Sequence, residues 1–239
     1  MTAERIVRWE GFGNARDLGG LPIAGGGVTA TGVYVRSGTV DQVPPTGWEQ
    51  ARAAGIATVV DLREPGELPA HRPPVMAWAH VALDDTADTA FWDPFTADGR
   101  WATPLYYPAF LAAKADRVAA AVTTVARAEP GVLIHCAGGR DRTGLVTALL
   151  LSVARVQPEA IAADFALSAA GVRELAALLG RPDEGPVVEE ALAAHGTTGP
   201  QALLDALGGL GGPDGVRRYL LDAGVDPADL DAVRDRLTA

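Results

Sequence analysis

The segment His135-Cys136-Ala137-Gly138-Gly139-Arg140-Asp141-Arg142-Thr143-Gly144 contains the only cysteine of a 239-residue chain. An apolar run at residues 131–134 precedes it and predicts a short buried strand. A longer apolar run at residues 145–156 follows it and predicts a buried helix. Between these elements the chain must turn sharply, and two adjacent glycines permit the backbone angles that such a turn needs. The segment therefore predicts a strand–loop–helix unit.

This loop, residues 135–144 and below called the phosphate loop, has the parts needed to bind and attack a phosphate. Successive N–H groups in such a turn can point inward and form an anion nest in front of a helix N-terminus. The same setting favours the thiolate of Cys136, which is the nucleophilic form and would give a cysteinyl-phosphate. Arg142 can bind two phosphate oxygens with its planar fork, and Thr143 is placed to hydrogen-bond the sulfur when it leaves. His135 is expected to orient the loop from beneath through backbone groups rather than to take the thiol proton.

Ester cleavage also requires a proton for the leaving oxygen, and Asp141 is the first candidate for this general acid. It lies between Arg140 and Arg142, which should keep it ionised until a dianionic phosphate arrives. Asp84 and Asp85 follow a predicted strand and are the rival candidates, carried on a separate loop.

The pattern His-Cys-x5-Arg-Thr-Gly resembles the signature of the cysteine-dependent protein tyrosine phosphatase superfamily. With Gly-Arg-Asp-Arg-Thr-Gly, the chain is similar to the bacterial branch typified by mycobacterial tyrosine phosphatase B. Members of that branch act on phosphotyrosine, phosphoserine/threonine and phosphoinositides. Further matching stretches are Asn14-Ala15-Arg16-Asp17-Leu18-Gly19-Gly20, Tyr34-Val35-Arg36-Ser37, Val60-Asp61-Leu62-Arg63 and the C-terminal end from Tyr219-Leu220 to Leu237.

The resemblance implies that Cys136 is the nucleophile, Arg142 the phosphate clamp and Asp141 the loop-borne general acid. The remaining loop residues would bind the substrate phosphate, with His135 in support: Ala137, Gly138, Gly139, Arg140, Thr143 and Gly144. Two residues depart from the branch, because Ala137 stands where a bulky residue is common and Arg140 replaces the usual lysine. These departures leave the substrate open between a phosphoprotein, a phosphoinositide and a small sugar or nucleoside phosphate.

Predicted strands and helices alternate up to about residue 155, which indicates a central, mostly parallel sheet flanked by helices. The resemblance implies a tyrosine-phosphatase-like fold, and we expect one phosphatase domain over residues 1–239, with a helical region after residue 155. Residues 171–210 either form a lid over the pocket or pad the flank of the core. Local patterns also predict a helix at 46–54 with Thr46 as its candidate cap, a strand at 75–83 and a polar loop at 84–103. Later in the chain they predict a long helix at 106–128 and separate helices at 158–169 and 172–179.

Several further side chains have a functional and a structural interpretation. Arg16 and Asp17 either reach the site or form a structural clasp. Arg36 and Arg63 end predicted strands and either contact substrate or form salt bridges to Asp17 or Glu64. A cluster of aromatic residues either stacks on substrate or packs in the core, and the second interpretation is favoured: Phe91, Trp92, Phe95, Trp101, Tyr106 and Tyr107.

Composition limits the partners. A net charge of −10 disfavours nucleic acid and anionic membrane surfaces. The histidines at 71, 80 and 195 lack ligand spacing, so we expect no metal and no other cofactor. One cysteine excludes an intramolecular disulfide, no apolar run reaches the length of a membrane helix, and no signal-peptide pattern begins the chain. These features predict a cytoplasmic protein, although export without a signal peptide stays open, as does the oligomeric state. A sulfurtransferase and a non-catalytic phosphate-binding adaptor are the remaining alternatives.

Overall fold

The computed structural model describes residues 5–69 and 76–239. Its strands are β1 (Arg16–Asp17), β2 (Tyr34–Ser37), β3 (Thr58–Asp61), β4 (Ala77–His80) and β5 (Val132–His135). They form one sheet in the order β1-β2-β5-β3-β4. The edge strand β1 is antiparallel to β2, and the other neighbours are parallel. The predicted mostly parallel sheet is confirmed.

The helices surround this sheet and fill most of the chain after β5. They are α1 (Pro45–Ala53), α2 (Thr89–Ala97), α3 (Tyr107–Ala113), α4 (Ala115–Arg127), α5 (Asp141–Val153), α6 (Pro158–Leu178), α7 (Gly185–Ala194), α8 (Gly199–Gly209), α9 (Gly212–Asp222) and α10 (Pro227–Thr238). Within the described ranges, none of these helices is both long and apolar enough to cross a membrane.

Alternate residues of the strands divide the core into two layers. Val35, Val59 and Leu133 face one side of the sheet, where they pack with Trp48 and Ala51 of α1. Their neighbours along the strands face the other side and join the larger cluster built from α3, α4, α5, α9 and α10. The sheet is therefore covered on both faces, as expected for parallel strands.

The register of the sheet brings three strand ends together. His135 at the end of β5 lies opposite Ser37 of β2 on one side and Asp61 of β3 on the other. The loop that follows β5 therefore leaves the middle of the sheet at its carboxyl edge, which is the usual place for a ligand site in open α/β sheets.

Three local predictions are wrong. The predicted loop at 84–103 contains α2, whose N-terminus is capped when Asp88 accepts a hydrogen bond from Phe91 N. The predicted helix at 106–128 breaks at Lys114 between α3 and α4, where the Lys114 ammonium binds Asp85 and Asp88. The two helices predicted on either side of residue 170 are one continuous helix, α6.

The remaining differences are small. Pro44, and not the predicted Thr46, is the N-cap residue of α1, and the hydroxyl of Thr46 donates to the Glu10 carboxylate instead. The strand predicted at 75–83 covers Ala77–His80, and residue 75, like His71, lies outside the described residues.

Candidate active site

The turn between β5 and α5 depends on one glycine. Gly139 has a φ of +68°, in the left-handed region that favours glycine. A Cβ atom at this position would lie 2.3 Å from the carbonyl oxygen of Ser37 at the end of β2. Gly138 is different, because a Cβ there would meet Val172 at an ordinary 3.6 Å. The loop therefore requires a glycine at position 139, whereas position 138 has room for a side chain.

Donors from outside the phosphate loop hold three successive loop carbonyls. The pairs are Thr39 N to Ala137 O at 2.8 Å, Asn14 Nδ2 to Gly138 O at 2.9 Å and Arg36 Nη2 to Gly139 O at 2.7 Å. In a planar trans peptide group the N–H points away from the C=O, so the three following N–H groups point to the opposite side. The N–H of Gly139 approaches Cys136 Sγ at 3.3 Å. The geometry is that of an anion nest with the sulfur at its base.

The residues around Cys136 are buried. Cys136 itself is 2% exposed. His135 Nδ1 lies 3.2 Å from the Cys136 carbonyl oxygen, and its Nε2 lies 3.6 Å from the Asp61 carboxylate. Burial lowers the pKa of His135 to about 4 although Asp61 opposes the shift, so the ring is neutral at pH 7. Thr143 Oγ1 is buried and has no hydrogen-bond partner among the described residues, and its bond to the departing sulfur stays a prediction.

Arg142 lies in the first turn of α5, and two carboxylates bind it. Its terminal nitrogens form a bidentate pair with Glu67 at 2.5 and 2.9 Å, and its Nε lies 3.2 Å from Asp84 Oδ2. Burial would lower the pKa of Arg142, but the hydrogen bonds to Glu67 and the charges of Cys136 and Asp84 raise it. The guanidinium is therefore cationic, and its forked face is turned to Glu67 in this state.

Asp84 and Asp141 line one cleft with Arg142. This Arg142 cleft measures about 400 Å³, and its walls include Glu67 and Trp92. Burial raises the pKa of Asp84 to about 7; Arg142 opposes this shift, and the charges of nearby carboxylates add to it. Its Oδ1 is buried without a hydrogen-bond partner among the described residues. Asp84 can therefore hold a proton near neutral pH.

Asp141 and Asp85 have cationic partners. Both carboxylate oxygens of Asp141 lie 3.2 Å from Arg140 Nε. The carbonyl of Asp141 accepts a hydrogen bond from Tyr107 Oη at 2.7 Å, which fixes the first turn of α5. Asp85 binds Lys114 at 2.9 Å and Arg117 at 3.1 Å and is absent from the walls of the cleft. Of the two rival acids on the second loop, only Asp84 faces the Arg142 cleft.

Arg63 and Arg36 form ion pairs within the protein and do not line the Arg142 cleft. Arg63 binds Asp61 at 2.9 Å and Asp41 at 2.7 Å and does not line the cleft, so the expected pairing with Glu64 is wrong. Arg36 binds Asp164 at 2.9 Å as well as the loop, and not Asp17.

Helix α6 covers one side of the phosphate loop. Val172 points toward Gly138, where an added Cβ atom would be in van der Waals contact with it. Leu175 points toward Gly38, where an added Cβ atom would lie closer than van der Waals distance. Next to this contact, a largely apolar cavity of about 370 Å³ lies between α6, α7 and the start of α8, with Arg140 in its wall. Residues 171–178, at the beginning of the predicted lid, thus form a wall of the site; motion of a lid stays a prediction.

Most of the aromatic candidates pack against one another. Phe91, Trp92, Phe95 and Tyr106 contact each other in the larger core cluster, at ring-centroid distances of 4.9–6.4 Å. Trp92 and Tyr106 also reach the Arg142 cleft, as does Trp101, which is half exposed. Core packing is the main role of this cluster.

Two residues of the site were missed by sequence reasoning. Asn14 lies in the N-terminal stretch that matches the phosphatase branch, but nothing local connects it with a carbonyl of the phosphate loop. Glu67 follows β3 in a short 3-10 turn at Pro65–Glu67, in a segment that reads as a strand-breaking turn. The one available signal for Glu67 was its position after a parallel strand, at the edge where site residues collect.

Comparison with known proteins gives two kinds of match. A family model described as the tyrosine phosphatase family matches residues 7–239. A protein of Cupriavidus necator, provisionally named a tyrosine-protein phosphatase, is 30% identical over 167 residues, which cover 66% of this chain and 61% of that protein. The triple specificity protein phosphatase PtpB of Mycobacterium tuberculosis is 28% identical over 253 aligned residues, which cover 85% of this chain and 90% of that protein.

Proposed function

The chain belongs to the tyrosine phosphatase family, and from this premise we propose that it hydrolyses phosphomonoesters through a cysteinyl-phosphate intermediate. The observation that carries the proposal is the inward-facing set of loop N–H groups, with that of Gly139 3.3 Å from Cys136 Sγ. This arrangement stabilises a thiolate before substrate binds and phosphate oxygens afterwards. Neither a sulfurtransferase nor a binding adaptor requires Arg142 beside two cleft-facing carboxyl groups.

The proposed reaction has two steps. Cys136 Sγ attacks phosphorus, the bond from phosphorus to the ester oxygen breaks, and a carboxylic acid gives its proton to the leaving oxygen. Arg142 binds two of the non-bridging oxygens once it leaves Glu67. Water then attacks phosphorus, the S–P bond breaks, and the carboxylate takes a proton from the water. His135 and the other residues of the phosphate loop hold the phosphate and the sulfur in place.

We assign the acid to Asp141, which is fixed at the mouth of the loop by its Arg140 pair and by Tyr107. A monoanionic substrate can supply the proton that Asp141 passes to the leaving oxygen. Asp84 is the second candidate, because its pKa near 7 allows it to carry its own proton into the Arg142 cleft.

For the substrate we propose the tyrosine and dual-specificity type, with a phosphoinositide or a small sugar or nucleoside phosphate as the alternatives. The relation to a phosphatase named for triple specificity supports a broad range. We further propose that residues 1–239 act as one phosphatase domain, which the single family match over residues 7–239 supports. A thiolate nucleophile is lost on oxidation, so the enzyme would work in a reducing compartment such as the cytoplasm. The nucleophile, the phosphate clamp and the acid are all side chains, so the proposed reaction uses no metal cofactor.

The first test is hydrolysis of an aryl phosphate by the purified chain in the presence of a chelator, beside Cys136→Ser. We expect turnover that disappears in the variant. Equal turnover by both proteins would exclude Cys136 as the nucleophile, and tight binding of phosphopeptides without turnover would support an adaptor.

The acid is identified with aryl phosphates whose leaving groups differ in pKa. Removing the general acid slows poor leaving groups most, because good ones depart without a proton. Asp141→Asn should therefore lose rate increasingly as the leaving group becomes poorer, while Asp84→Asn loses it evenly. If the dependence belongs to Asp84→Asn instead, the assignment moves to Asp84.

A further inference from the structure

The side chain of Asn14 holds the peptide group that aims an N–H at the sulfur. Its Nδ2 donates to the Gly138 carbonyl at 2.9 Å, although the two residues are 124 positions apart. The same planar peptide group carries the N–H of Gly139, which approaches Cys136 Sγ at 3.3 Å. A change at Asn14 therefore acts on the direction of a hydrogen bond to the proposed nucleophile.

The amide of Asn14 has one possible orientation. Arg16 Nη1 donates to its Oδ1 at 2.7 Å, and because a guanidinium has no acceptor, the amide NH₂ must face Gly138. The backbone of Asn14 has a φ of +52°, in the left-handed region where asparagine is one of the few favoured residues. Gly171 in α6 leaves room for the amide, since a Cβ there would lie 2.2 Å from Asn14 Oδ1. This close approach also explains the glycine inside a continuous helix.

A buried ionic group, the Asp164 cluster (Arg5, Arg16, Arg36 and Asp164), holds Arg16 in turn. Asp164 is 1% exposed and binds Arg16 Nε at 3.1 Å, Arg36 Nη1 at 2.9 Å and Arg5. Burial would raise the pKa of Asp164, but the charges of Arg16, Arg36 and Arg5 outweigh it and hold the pKa well below its usual range. Three guanidinium groups around one carboxylate leave excess positive charge beneath the phosphate loop.

The cluster supports the loop at two adjacent peptide groups. Through Arg16 it orients Asn14, which holds the Gly138 carbonyl, and through Arg36 it holds the Gly139 carbonyl directly. Both supports turn N–H groups toward the space where thiolate and phosphate would carry negative charge. Preorganised N–H groups of this kind stabilise charge without reorganisation during the reaction.

We propose that Asn14 is a positioning residue: it aligns the Gly139 N–H with the Cys136 sulfur, and the Asp164 cluster keeps it in that orientation. An effect of Asn14 on catalysis rests on the proposed function, whereas the effect of Asn14 on the Cys136 sulfur does not. The alternative is that Asn14 only stabilises the fold.

The test titrates the thiolate of the single cysteine by its far-ultraviolet absorbance, with Cys136→Ser as the blank. Asn14→Gly keeps the left-handed backbone and the net charge but removes the amide. A charge-assisted hydrogen bond that loses its alignment should move the thiolate titration to higher pH by about one unit or more. Inhibition by inorganic phosphate should weaken about tenfold in the same variant.

The matched control is Thr29→Val. Thr29 is buried in the same N-terminal segment, donates to Leu18 O at 2.6 Å and accepts from Leu21 N at 2.9 Å, but does not contact the loop. Its loss should lower stability and leave the thiolate titration unchanged. If Asn14→Gly does not fold, Asn14→Ala replaces it, because it also removes the amide and adds no charge near the sulfur.

The outcomes separate the two proposals. A thiolate titration that is the same in the Asn14 variant and the unsubstituted chain would overturn the positioning role, as would an equal shift in Thr29→Val. If the titration shifts as expected but the unsubstituted chain hydrolyses no phosphomonoester, the proposed function fails while the role of Asn14 at the sulfur stands.

Discussion

Gly139→Ala should damage the protein far more than the same change at the adjacent glycine. The left-handed φ of +68° costs about 1–2 kcal/mol for a residue with a Cβ. The new methyl would also lie 2.3 Å from Ser37 O, 2.5 Å from Ser37 C and 2.6 Å from Gly38 N, all backbone atoms that cannot rotate away. Overpacking of this kind costs about 1–3 kcal/mol. We therefore expect a loss of about 2–5 kcal/mol, which a domain of ordinary stability can survive.

The measurement compares Gly139→Ala and Gly138→Ala by urea unfolding and by turnover of an aryl phosphate. Gly138 has no positive φ, and its added methyl meets only Val172 at 3.6 Å, so its variant should lose less than about 1 kcal/mol. Gly139→Ala should also lose at least about 100-fold in turnover, because the N–H that faces the sulfur moves with the displaced backbone. Equal losses in the two variants would refute the geometry argued for the turn.

Three further predictions concern the carboxylates and the buried arginine. Glu67→Gln weakens the bidentate pair with Arg142, so inhibition by inorganic phosphate should strengthen about three- to tenfold; an unchanged inhibition constant would show that Glu67 does not compete with phosphate. The raised pKa of Asp84 contributes stability that is fully present below about pH 4 and is lost as the pH rises through about 7. Asp84→Asn should therefore flatten the pH dependence of the unfolding free energy by roughly 2–4 kcal/mol over that interval, and a slope equal to that of the unsubstituted chain would contradict the shift. Arg63→Gln leaves Asp61 buried without its cation, so unfolding measurements should show a loss of about 3–5 kcal/mol with little change in KM; a raised KM at full stability would mean that Arg63 contacts substrate after all.

The parts of the fold that were predictable are those fixed by neighbours in sequence. The apolar run before Cys136, the glycine turn and the apolar run after it determine β5, the phosphate loop and α5 almost without reference to the rest of the chain. The alternation of strands and helices then leaves few topologies, because parallel strands need long crossovers of one hand. The sheet and its carboxyl-edge site follow from these local facts.

The errors lie where contacts distant in sequence decide the local structure. Gly171 reads as the end of a helix, yet α6 continues through it, and Asn14 occupies the space that a side chain at position 171 would need. Lys114 reads as the middle of a long helix, yet the chain breaks there and the ammonium binds Asp85 and Asp88. None of these three partners lies within the window that a propensity or periodicity argument uses.

For the same reason, the reactive residues of the site are predictable from the sequence, whereas the residues that hold them in place are not. The phosphate loop contains the proposed nucleophile, clamp and acid within ten residues, so the pattern alone predicts the reaction. The direction of its N–H groups depends on where its carbonyls are held, and those donors come from Thr39, Asn14 and Arg36, about 100 or more positions away. Arginines that end strands are candidates for substrate contacts because that edge of a sheet is where ligands bind. Arg36 does lie at that edge, but it donates to the Gly139 carbonyl, on the side of the loop opposite the N–H groups. It would therefore act on a bound phosphate by orienting those N–H groups.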